Sequence, residues 1–419
     1  MKPTVSDGED SFSHGTRNTY TLTLATFTST VGFGISFPFL PLMVLELDPQ
    51  ANANAWVGYI TGSFFLIGFL TTPMWGAVAD HYGRKLMVLR TGLGMGVLHM
   101  LLPVAPGLGW FMFFFLVLGT TNGFVPSAQA LVATTTHPSK MGRALSMLHT
   151  GTWLGNSLGP AVGAFLAGFV VSYRSLYWVT GGLVLTAGLL GLLFAREERT
   201  KPKGPFRLHV IQDLRTTISL PQAKIMLSIS YVFAIIYLGN VPVMSLYTLD
   251  LLEKLGTSDK ATRDMWVGMV ALALPISSAL AAPLWGRALD RFGPESVLSL
   301  SLITGTLATV PIVFVTSPFA LMVARFMLGV MSVGIGLAVL MGIKARSPKG
   351  MEARVLAFGT AVSMLGFGSG PFLAGLVGPS FGLRVYFALN TASLAVMLGV
   401  WFLLVLSGRV SLRKHLNQT

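Results

Sequence analysis

The sequence contains no cysteine, and charged residues make up only 11% of its 419 residues. The absence of cysteine excludes a disulfide framework, a thiolate metal site and a cysteine nucleophile. The zinc-protease pattern H-E-x-x-H and the nucleotide loop G-x-x-x-x-G-K-[ST] are also missing. The sequence therefore predicts a protein that is not an enzyme, that holds no metal or cofactor, and that is not driven by ATP.

Long hydrophobic runs are abundant instead. The chain is 53% hydrophobic, and its mean hydropathy is +0.69. Its apolar blocks have the length of about twenty residues that a helix needs to cross a bilayer. We predict an all-α membrane protein with twelve transmembrane helices. The predicted spans are residues 20–45, 57–78, 86–105, 110–133, 144–169, 177–195, 225–252, 267–289, 296–315, 319–343, 356–377 and 386–406.

Basic residues outnumber acidic ones by 29 to 16 and are concentrated in alternate loops. This distribution argues against a nucleic-acid partner. By the positive-inside rule it places both termini and the central linker in the cytoplasm, as in a multi-pass protein of a bacterial inner membrane. The first residues are polar and lack the pattern of a cleaved signal. The predicted parts are an N-tail (1–18), an N-terminal bundle (19–195), a linker without a substrate role (196–224), a C-terminal bundle (225–406) and a basic tail (407–419).

The two halves of the chain repeat each other. A shift of about 210 residues superposes tryptophan, glycine, proline and aspartate positions of the first half on the second. Because each half has six spans, the repeat is parallel, and the sequence predicts two pseudo-symmetric six-helix bundles around a central cleft. The matched positions include Trp56 with Trp266, Trp75 with Trp285, Asp80 with Asp290, Gly119 with Gly329, and Arg174 with Arg384.

One motif lies between spans two and three. It runs from Gly76 through Asp80 to Gly83, Arg84 and Lys85. Glycine favours close helix approach, an acidic group can serve a helix N-terminus, and the basic pair holds the loop on the cytoplasmic side. A second copy contains Gly286 and Asp290 but has Pro294 and Glu295 in place of the basic pair.

These motifs resemble those of the major facilitator superfamily, and the resemblance covers nearly the whole chain. It implies the fold of that family and a conformational latch in this loop. Asp80 and Arg84 would be latch elements, with Gly76 and Gly83 as their geometric support. The resemblance implies a weaker latch in the second copy.

Span five contains Gly155, Gly159, Pro160 and Gly163, which look like the antiporter motif of the family. Its small residues are expected to pack closely against the opposite bundle, with a bend at Pro160. Ala164 replaces the second glycine of the terminal pair. The motif is similar to that of bacterial multidrug and tetracycline-type proton antiporters and implies export.

Charged groups inside spans are costly and usually functional. Drug exporters of the family usually carry an arginine in span four, where this chain has Phe115, whereas the repeat position holds Arg325. We hypothesise that Arg325 pairs with Asp250 or Glu46 at the outer rim and contributes to a gate. The alternatives are a structural ion pair for Arg325 and solvated helix ends for the two acids.

No acidic residue falls in the middle of a predicted span. His99 and His149 titrate near neutrality and could carry the proton instead, although hydrogen-bonded packing is the alternative for both. The candidates for the substrate cavity are Phe115, Gln129, Asn156 and Asn240.

The predicted function is secondary active transport, namely proton-coupled efflux of amphipathic or lipophilic small molecules by alternating access. An uptake symporter or facilitator, and a lipid or lysolipid translocase, remain open as alternatives of the same fold. The expected partners are the small substrate, the lipid bilayer and protons, and the protein is expected to be a monomer.

Overall fold

The structure, a computed structural model, describes residues 14–137, 140–197, 221–257, 259–346 and 352–407. All regular elements in these ranges are helical. Three short turns interrupt them: two 3₁₀ turns at Phe37–Phe39 and Leu102–Val104, and a π-helical turn at Ile235–Gly239. The α-helices are α1 (Gly15–Ser36), α2 (Leu40–Leu47), α3 (Ala53–Tyr82), α4 (Arg84–Leu101), α5 (Leu108–Thr121), α6 (Phe124–Thr135), α7 (Met141–Phe169), α8 (Arg174–Phe194), α9 (Pro221–Ala234), α10 (Val241–Lys254), α11 (Lys260–Phe314), α12 (Pro318–Arg346), α13 (Glu352–Phe381) and α14 (Leu383–Leu406).

The described ranges contain ten helical segments that are long and apolar enough to cross a membrane. One of them, α11, has 55 residues and a non-helical break at Gly293, where φ is 78°. Since that break divides it into two crossings, α11 supplies spans eight and nine. The 29-residue α7, with Pro160 inside it, supplies span five. The predicted twelve-span, all-α architecture is confirmed.

Among the described residues, spans one, four and seven are interrupted within their length. Span one contains a 3₁₀ turn with Pro38. Span four is interrupted between α5 and α6 at Gly123, whose φ of 120° suits glycine. Span seven has the π-helical turn at Ile235–Gly239, shortly before Pro242. Such turns concentrate at functional sites, because they free backbone groups and let a helix bend.

The helices group into two compact units. The first contains α1, α2, the part of α3 from Leu70 onwards, and α4 to α8. The second contains residues Gln50–Phe69 and α9 to α14. This division differs from the predicted one, which placed all of span two in the N-terminal bundle. Residues 1–13 of the predicted N-tail, most of the predicted linker and nearly all of the predicted basic tail lie outside the described residues. Residues 15–18 of the predicted N-tail belong to α1.

Close glycine packing explains why residues 50–69 group with the second unit. A Cβ atom on Gly58 would lie 2.6 Å from the carbonyl oxygen of Pro371, and one on Gly375 would lie 3.2 Å from the Cα of Gly58. One turn further, a Cβ on Gly368 would lie 3.1 Å from the carbonyl oxygen of Gly62. Small residues at these positions bring the backbones of α3 and α13 together, which is how membrane helices pack without a hydrophobic driving force.

The sequence repeat also appears in the helix contacts of the first unit. Span five packs against span one through the glycines of the predicted antiporter motif. A Cβ on Gly155 would lie 2.7 Å from the carbonyl oxygen of Phe27, and one on Gly159 would lie 2.8 Å from that of Val31. These contacts fix α7 against α1.

The second unit has the same arrangement between spans eleven and seven. A Cβ on Gly366 would lie 2.6 Å from the carbonyl oxygen of Tyr231, and one on Gly370 would lie 3.2 Å from that of Ile235. Gly366 and Gly370 follow Gly155 and Gly159 by 211 residues, and their partners follow Phe27 and Val31 by 204. The duplication is therefore a duplication of helix contacts as well as of residues.

Two hydrogen bonds repeat in the same way. The indole nitrogen of Trp75 donates to the carbonyl oxygen of Thr120 at 2.7 Å, and that of Trp285 donates to Val330 at 2.7 Å. Each bond joins the second span of a half to its fourth span. A buried indole N–H requires an acceptor, so both tryptophans orient their helices.

Candidate functional site

The predicted latch loop lies where α3 ends and α4 begins. Gly83 joins the two helices with a φ of 101°, a left-handed conformation that favours glycine. Its repeat partner Gly293 has a φ of 78° at the corresponding break in α11. Glycine is thus required for the backbone geometry of both copies. The side chain of Asp80, the central residue of the latch prediction, is not among the described side chains.

The acid that caps α4 is Glu197, at the start of the predicted linker. Its carboxylate oxygens accept from the backbone amides of Arg84 at 2.9 Å and of Lys85 at 2.8 Å. The N-terminus of a helix has free amides and a partial positive charge, which a carboxylate satisfies. Sequence reasoning missed this residue because the linker was given no role. The signal was a pair of acids, Glu197 and Glu198, directly after span six.

A second residue fixes the same corner of the first unit. The side-chain oxygen of Asn18 accepts from the amide of Arg196 at 2.9 Å, and its amide nitrogen donates to the carbonyl oxygen of Arg196 at 2.7 Å. The same nitrogen donates to the Thr135 hydroxyl at 3.0 Å. The residue preceding Glu197 is therefore held at the beginning of α1 and the end of α6.

Gly76 and Gly286, the motif glycines that lie within helices, were predicted to allow close helix approach. A Cβ atom on Gly76 or on Gly286 would meet no atom of the described residues within 4 Å. The predicted close helix approach at these positions is not seen there. Asp290 is exposed to solvent.

The antiporter motif requires a correction. Its glycines were predicted to pack against the opposite bundle, but Gly155, Gly159 and Gly163 all pack against α1 of their own unit. The physical reason is the matching small residue on α1, since a Cβ on Gly34 would lie 2.9 Å from the Cα of Gly159. This stretch also has the G-x-S-x-G spacing, but Ser157 lies inside a continuous helix and not on the strand-to-helix turn of a nucleophilic serine.

Arg325 lies two turns into α12 and is 1% exposed. None of its three guanidinium nitrogens has a hydrogen-bond partner among the described residues. The predicted pairing with Asp250 does not form, because Asp250 binds Lys254 at 2.6 Å, one turn away on its own helix. A local ion pair on the surface of α10 thus replaces the predicted contact.

Glu46, the other predicted partner of Arg325, is engaged within the first unit. Its carboxylate accepts from the amide of Tyr173 at 2.7 Å and from the Ser172 hydroxyl. The Arg174 guanidinium lies 3.8 Å away. Glu46 therefore anchors the loop between α7 and α8 and is not a free solvated helix end.

The two candidate histidines occupy different surroundings. His99 is buried, and its Nδ1 lies 2.8 Å from the Met95 carbonyl oxygen of its own helix. His149 is exposed, and its Nε2 lies 3.4 Å from the side-chain nitrogen of Gln129. The structure thus brings together two residues that were predicted separately, one as a coupling group and one as a cavity residue.

The remaining cavity candidates also differ from one another. Phe115 is buried, with its ring 5.1 Å from that of Phe111, a packing position within the first unit. Asn156 is half-buried on α7. Asn240 is buried at the start of α10, where its side-chain oxygen accepts from the Tyr386 hydroxyl.

Arg90 was not singled out from the sequence. Its guanidinium lies 3.9 Å from the centre of the Trp75 ring and donates to the carbonyl oxygen of Thr120 at 3.0 Å. The carbonyl of Thr120 therefore accepts from both Trp75 and Arg90. A cation over an indole face gains further stabilisation from the ring quadrupole.

Asp264 is a buried acid between predicted spans seven (225–252) and eight (267–289). It is the fifth residue of α11, is 1% exposed, and binds Lys260 at 2.9 Å. The helix begins at Asp259, whose carboxylate accepts from the amide of Thr262 at 2.8 Å. That hydrogen bond lowers the pKa of the Asp259 carboxyl. Within the described residues, no group of three or more His, Cys, Asp or Glu side chains could hold a metal ion.

Twelve helical spans in two internally packed units define a multi-pass membrane protein. A model of the Major Facilitator Superfamily matches residues 22–258 and 229–417 of the chain. The chain belongs to the major facilitator superfamily, as its motifs predicted.

Curated relatives match over most of the chain. The multidrug resistance protein MdtG of Serratia proteamaculans (strain 568) is 32% identical over 379 residues, which cover 89% of this chain and 90% of the relative. The protein of the same name from Escherichia fergusonii is 30% identical over 392 residues, covering 92% and 93%.

Solved structures support the fold alone, since their sequences are distant. A bacterial homologue of the human lysosomal transporter Spinster matches with a TM-score of 0.72 at 15% identity, over 92% of this chain and 96% of that one. The nucleoside transporter NupG matches with a TM-score of 0.72 at 11% identity, over 92% and 98%.

Proposed function

We propose that this protein is a secondary transporter that exports amphipathic or lipophilic small molecules. The observation that carries the proposal is the likeness, at about 30% identity over nine-tenths of the chain, to proteins named for multidrug resistance. The duplicated six-span units of a secondary transporter fold support it. An uptake symporter or facilitator and a lipid translocase are the outcomes that the test below distinguishes from export.

In this proposal, transport proceeds by alternating exposure of a binding site to the two faces of the membrane. The loop between α3 and α4 acts as the latch that biases these states. Asp80, Arg84 and Lys85 are the proposed latch residues of the first copy, and Asp290 belongs to the weaker second copy. Glu197 adds to this proposal, because its carboxylate holds the first turn of α4 in place.

Protons are the proposed coupling ion, and no organic cofactor is required. Of the two histidines, His149 is the better candidate for proton exchange, because its ring is exposed and has the side-chain partner Gln129. The ring of His99 is buried against its own helix, which suits packing. The protein is proposed to act as a monomer in a bacterial cytoplasmic membrane, with both termini in the cytoplasm.

Transport into inside-out membrane vesicles tests the proposal. Vesicles that contain the protein are energised to an acidic interior, and accumulation of ethidium or of a neutral lipophilic dye is followed by fluorescence. We expect accumulation that a protonophore abolishes. Accumulation in intact cells instead would indicate uptake, equilibration without a gradient would indicate a facilitator, and movement of labelled lipid alone would indicate a translocase. Each of these results would contradict export.

The internal repeat supplies a matched pair of variants for the latch. Asp80→Asn and Asp290→Asn make the same chemical change at corresponding positions. If the first copy is the working latch, Asp80→Asn lowers the export rate much more than Asp290→Asn does. Equal effects, or no effect of Asp80→Asn, would contradict the assignment of the latch to the first copy.

A further inference from the structure

Arg325 is the most unusual charged residue of the described chain. It is among the largest fully buried side chains, and none of its guanidinium nitrogens has a hydrogen-bond partner among the described residues. Arginine stays protonated in proteins, so this charge cannot be removed by losing a proton. A buried charge is strongly unfavourable unless it is paired and hydrogen-bonded. An anion is therefore the complementary ligand.

The acids of the second unit nearest to the same end of the helices already have partners. Asp250 binds Lys254 at 2.6 Å, and Asp264 binds Lys260 at 2.9 Å. Asp259 caps the first turn of α11 through the amide of Thr262. These carboxylates are engaged by groups near the ends of α10 and α11, and none of them forms an ion pair with Arg325.

The surroundings of Arg325 suit an amphipathic ligand. The Tyr237 hydroxyl, on span seven, is likewise buried without a hydrogen-bond partner among the described residues, and it is close enough to Arg325 for an electrostatic interaction with the guanidinium. The Tyr237 ring stacks on that of Phe233, with their centres 4.9 Å apart. A cation and a phenol are thus followed directly by an aromatic surface. Charged and apolar groups in this order match a molecule with an anionic head and a flat apolar body.

Span seven contains a turn whose movement could expose Arg325 to a ligand. Tyr237 is the central residue of the π-helical turn Ile235–Gly239, and π-helical turns let a helix change its register locally. On the other side, Ser278 packs one turn beyond Arg325, where its hydroxyl donates to the Gly329 carbonyl oxygen at 3.3 Å. The Ser278 side is fixed by close helix packing, so movement at the π-helical turn is the step that would admit a ligand.

We propose that Arg325, with Tyr237, forms a binding site for the anionic group of an amphipathic substrate. This inference rests on the proposed transport function, whose substrate class it narrows. Arg325 supplies the charge and two or more N–H donors, Tyr237 supplies a hydroxyl donor, and Phe233 with the Tyr237 ring contacts the apolar part. The site is closed to solvent in this structure.

The test uses the purified protein in detergent and two probes of nearly the same shape, the anion 1-naphthylacetate and the neutral 1-naphthylacetamide, in which an NH2 group replaces one carboxylate oxygen. Binding is measured from the rise in apparent melting temperature with probe concentration. We expect the wild type to bind the acid roughly tenfold or more tightly than the amide, the size of a charge-assisted hydrogen bond. Arg325→Met should bind both probes equally. The control Arg384→Gln removes an exposed arginine of the same unit and should keep the preference.

A structural role for Arg325 predicts a different result without any probe. If the guanidinium mainly stabilised the fold, Arg325→Met would melt well below the wild type. An unpaired buried cation predicts that the variant melts at the same temperature or above it. If Arg325→Met does not fold, Arg325→Lys is used instead, and it should keep a weaker preference for the acid. The proposal is overturned if the wild type binds both probes equally, or if Arg325→Met keeps the preference.

An anionic lipid headgroup shares the chemistry of such a substrate. If phosphatidylglycerol displaces 1-naphthylacetate from the wild type, the anion site is supported and is assigned to lipid. If inside-out vesicles accumulate 1-naphthylacetate, the site is assigned to transport of a small anion. Failure of the two proposals can also be separated. A wild type that exports dyes without preferring the acid contradicts the anion site alone, and a preference without export contradicts the exporter alone.

Discussion

The contact between α7 and α1 offers the sharpest structural test. Gly159→Ala adds one methyl group where it would lie 2.7 Å from the Cα of Gly34 and 2.8 Å from the Val31 carbonyl oxygen. Both atoms belong to the backbone, and ordinary carbon contacts lie at about 3.5–4.0 Å. The two helices must therefore move apart by roughly 0.7 Å or more. Overpacking of this kind costs about 1–3 kcal/mol.

The same helix contains a matched control. A Cβ on Gly168 would meet no atom of the described residues within 4 Å, so Gly168→Ala adds a methyl group without a clash. Alanine also favours a helix over glycine by up to about 1 kcal/mol. Gly370→Ala is an intermediate case, because its Cβ would lie 3.2 Å from the Ile235 carbonyl oxygen. The expected order of stability is Gly168→Ala, then Gly370→Ala, then Gly159→Ala.

Thermal unfolding in one detergent measures this order. A loss of about 2 kcal/mol corresponds to roughly 4–8 °C for a unit of this size. The export rate of Gly159→Ala should fall as well, since α7 carries the proposed antiporter motif. If Gly159→Ala and Gly168→Ala unfold at the same temperature, the close approach of α7 and α1 does not exist, and the argument from repeated helix contacts fails with it.

Three further predictions follow from side-chain contacts. Glu197→Gln should weaken the cap on α4 by about 0.5–2 kcal/mol, with faster amide exchange in the first turn of that helix, and unchanged exchange would contradict the cap. Trp75→Phe and Trp285→Phe each remove one indole hydrogen bond worth about 1 kcal/mol. The melting temperature should fall further for Trp75→Phe, because this change also weakens the stacking of Arg90 on the ring. His149→Gln should flatten the pH profile of export in vesicles, whereas His99→Gln should lower the melting temperature and leave that profile in place; an unchanged profile for His149→Gln would remove it as the proton carrier.

The helical architecture was predictable because length and repetition are strong signals. A block of about twenty apolar residues has few alternatives in a membrane protein. The repeat at a shift of about 210 residues matched Trp75 with Trp285 from the sequence alone, and the two indoles then proved to make the same hydrogen bond. Because the two halves pack in the same way, repeat-related residues make corresponding helix contacts.

Contacts between distant residues were harder to predict. Nothing in the spacing of Glu197 shows that its carboxylate reaches the amides of Arg84 and Lys85, because the two segments are far apart in the chain. The same holds for Gly58, whose approach to Pro371 draws residues 50–69 into the second unit. The predicted Arg325 pair failed for a related reason, since Asp250 has a closer partner in Lys254 on its own helix.

The duplication also indicates where the chemistry lies. Residues that repeat, such as the motif glycines and the paired tryptophans, stabilise both units in the same way and cannot distinguish one from the other. The polar groups proposed to act on protons or substrate are not repeated. The repeat-related position of Arg325 holds Phe115, that of His149 holds Thr360, and that of Gln129 holds Val339. A polar group inside a membrane span is costly, and a duplicated ancestor would carry two copies of it if both units needed it for folding. These unmatched groups are consequently the ones to test for coupling and binding, with the proton path expected in the first unit and the anion site in the second.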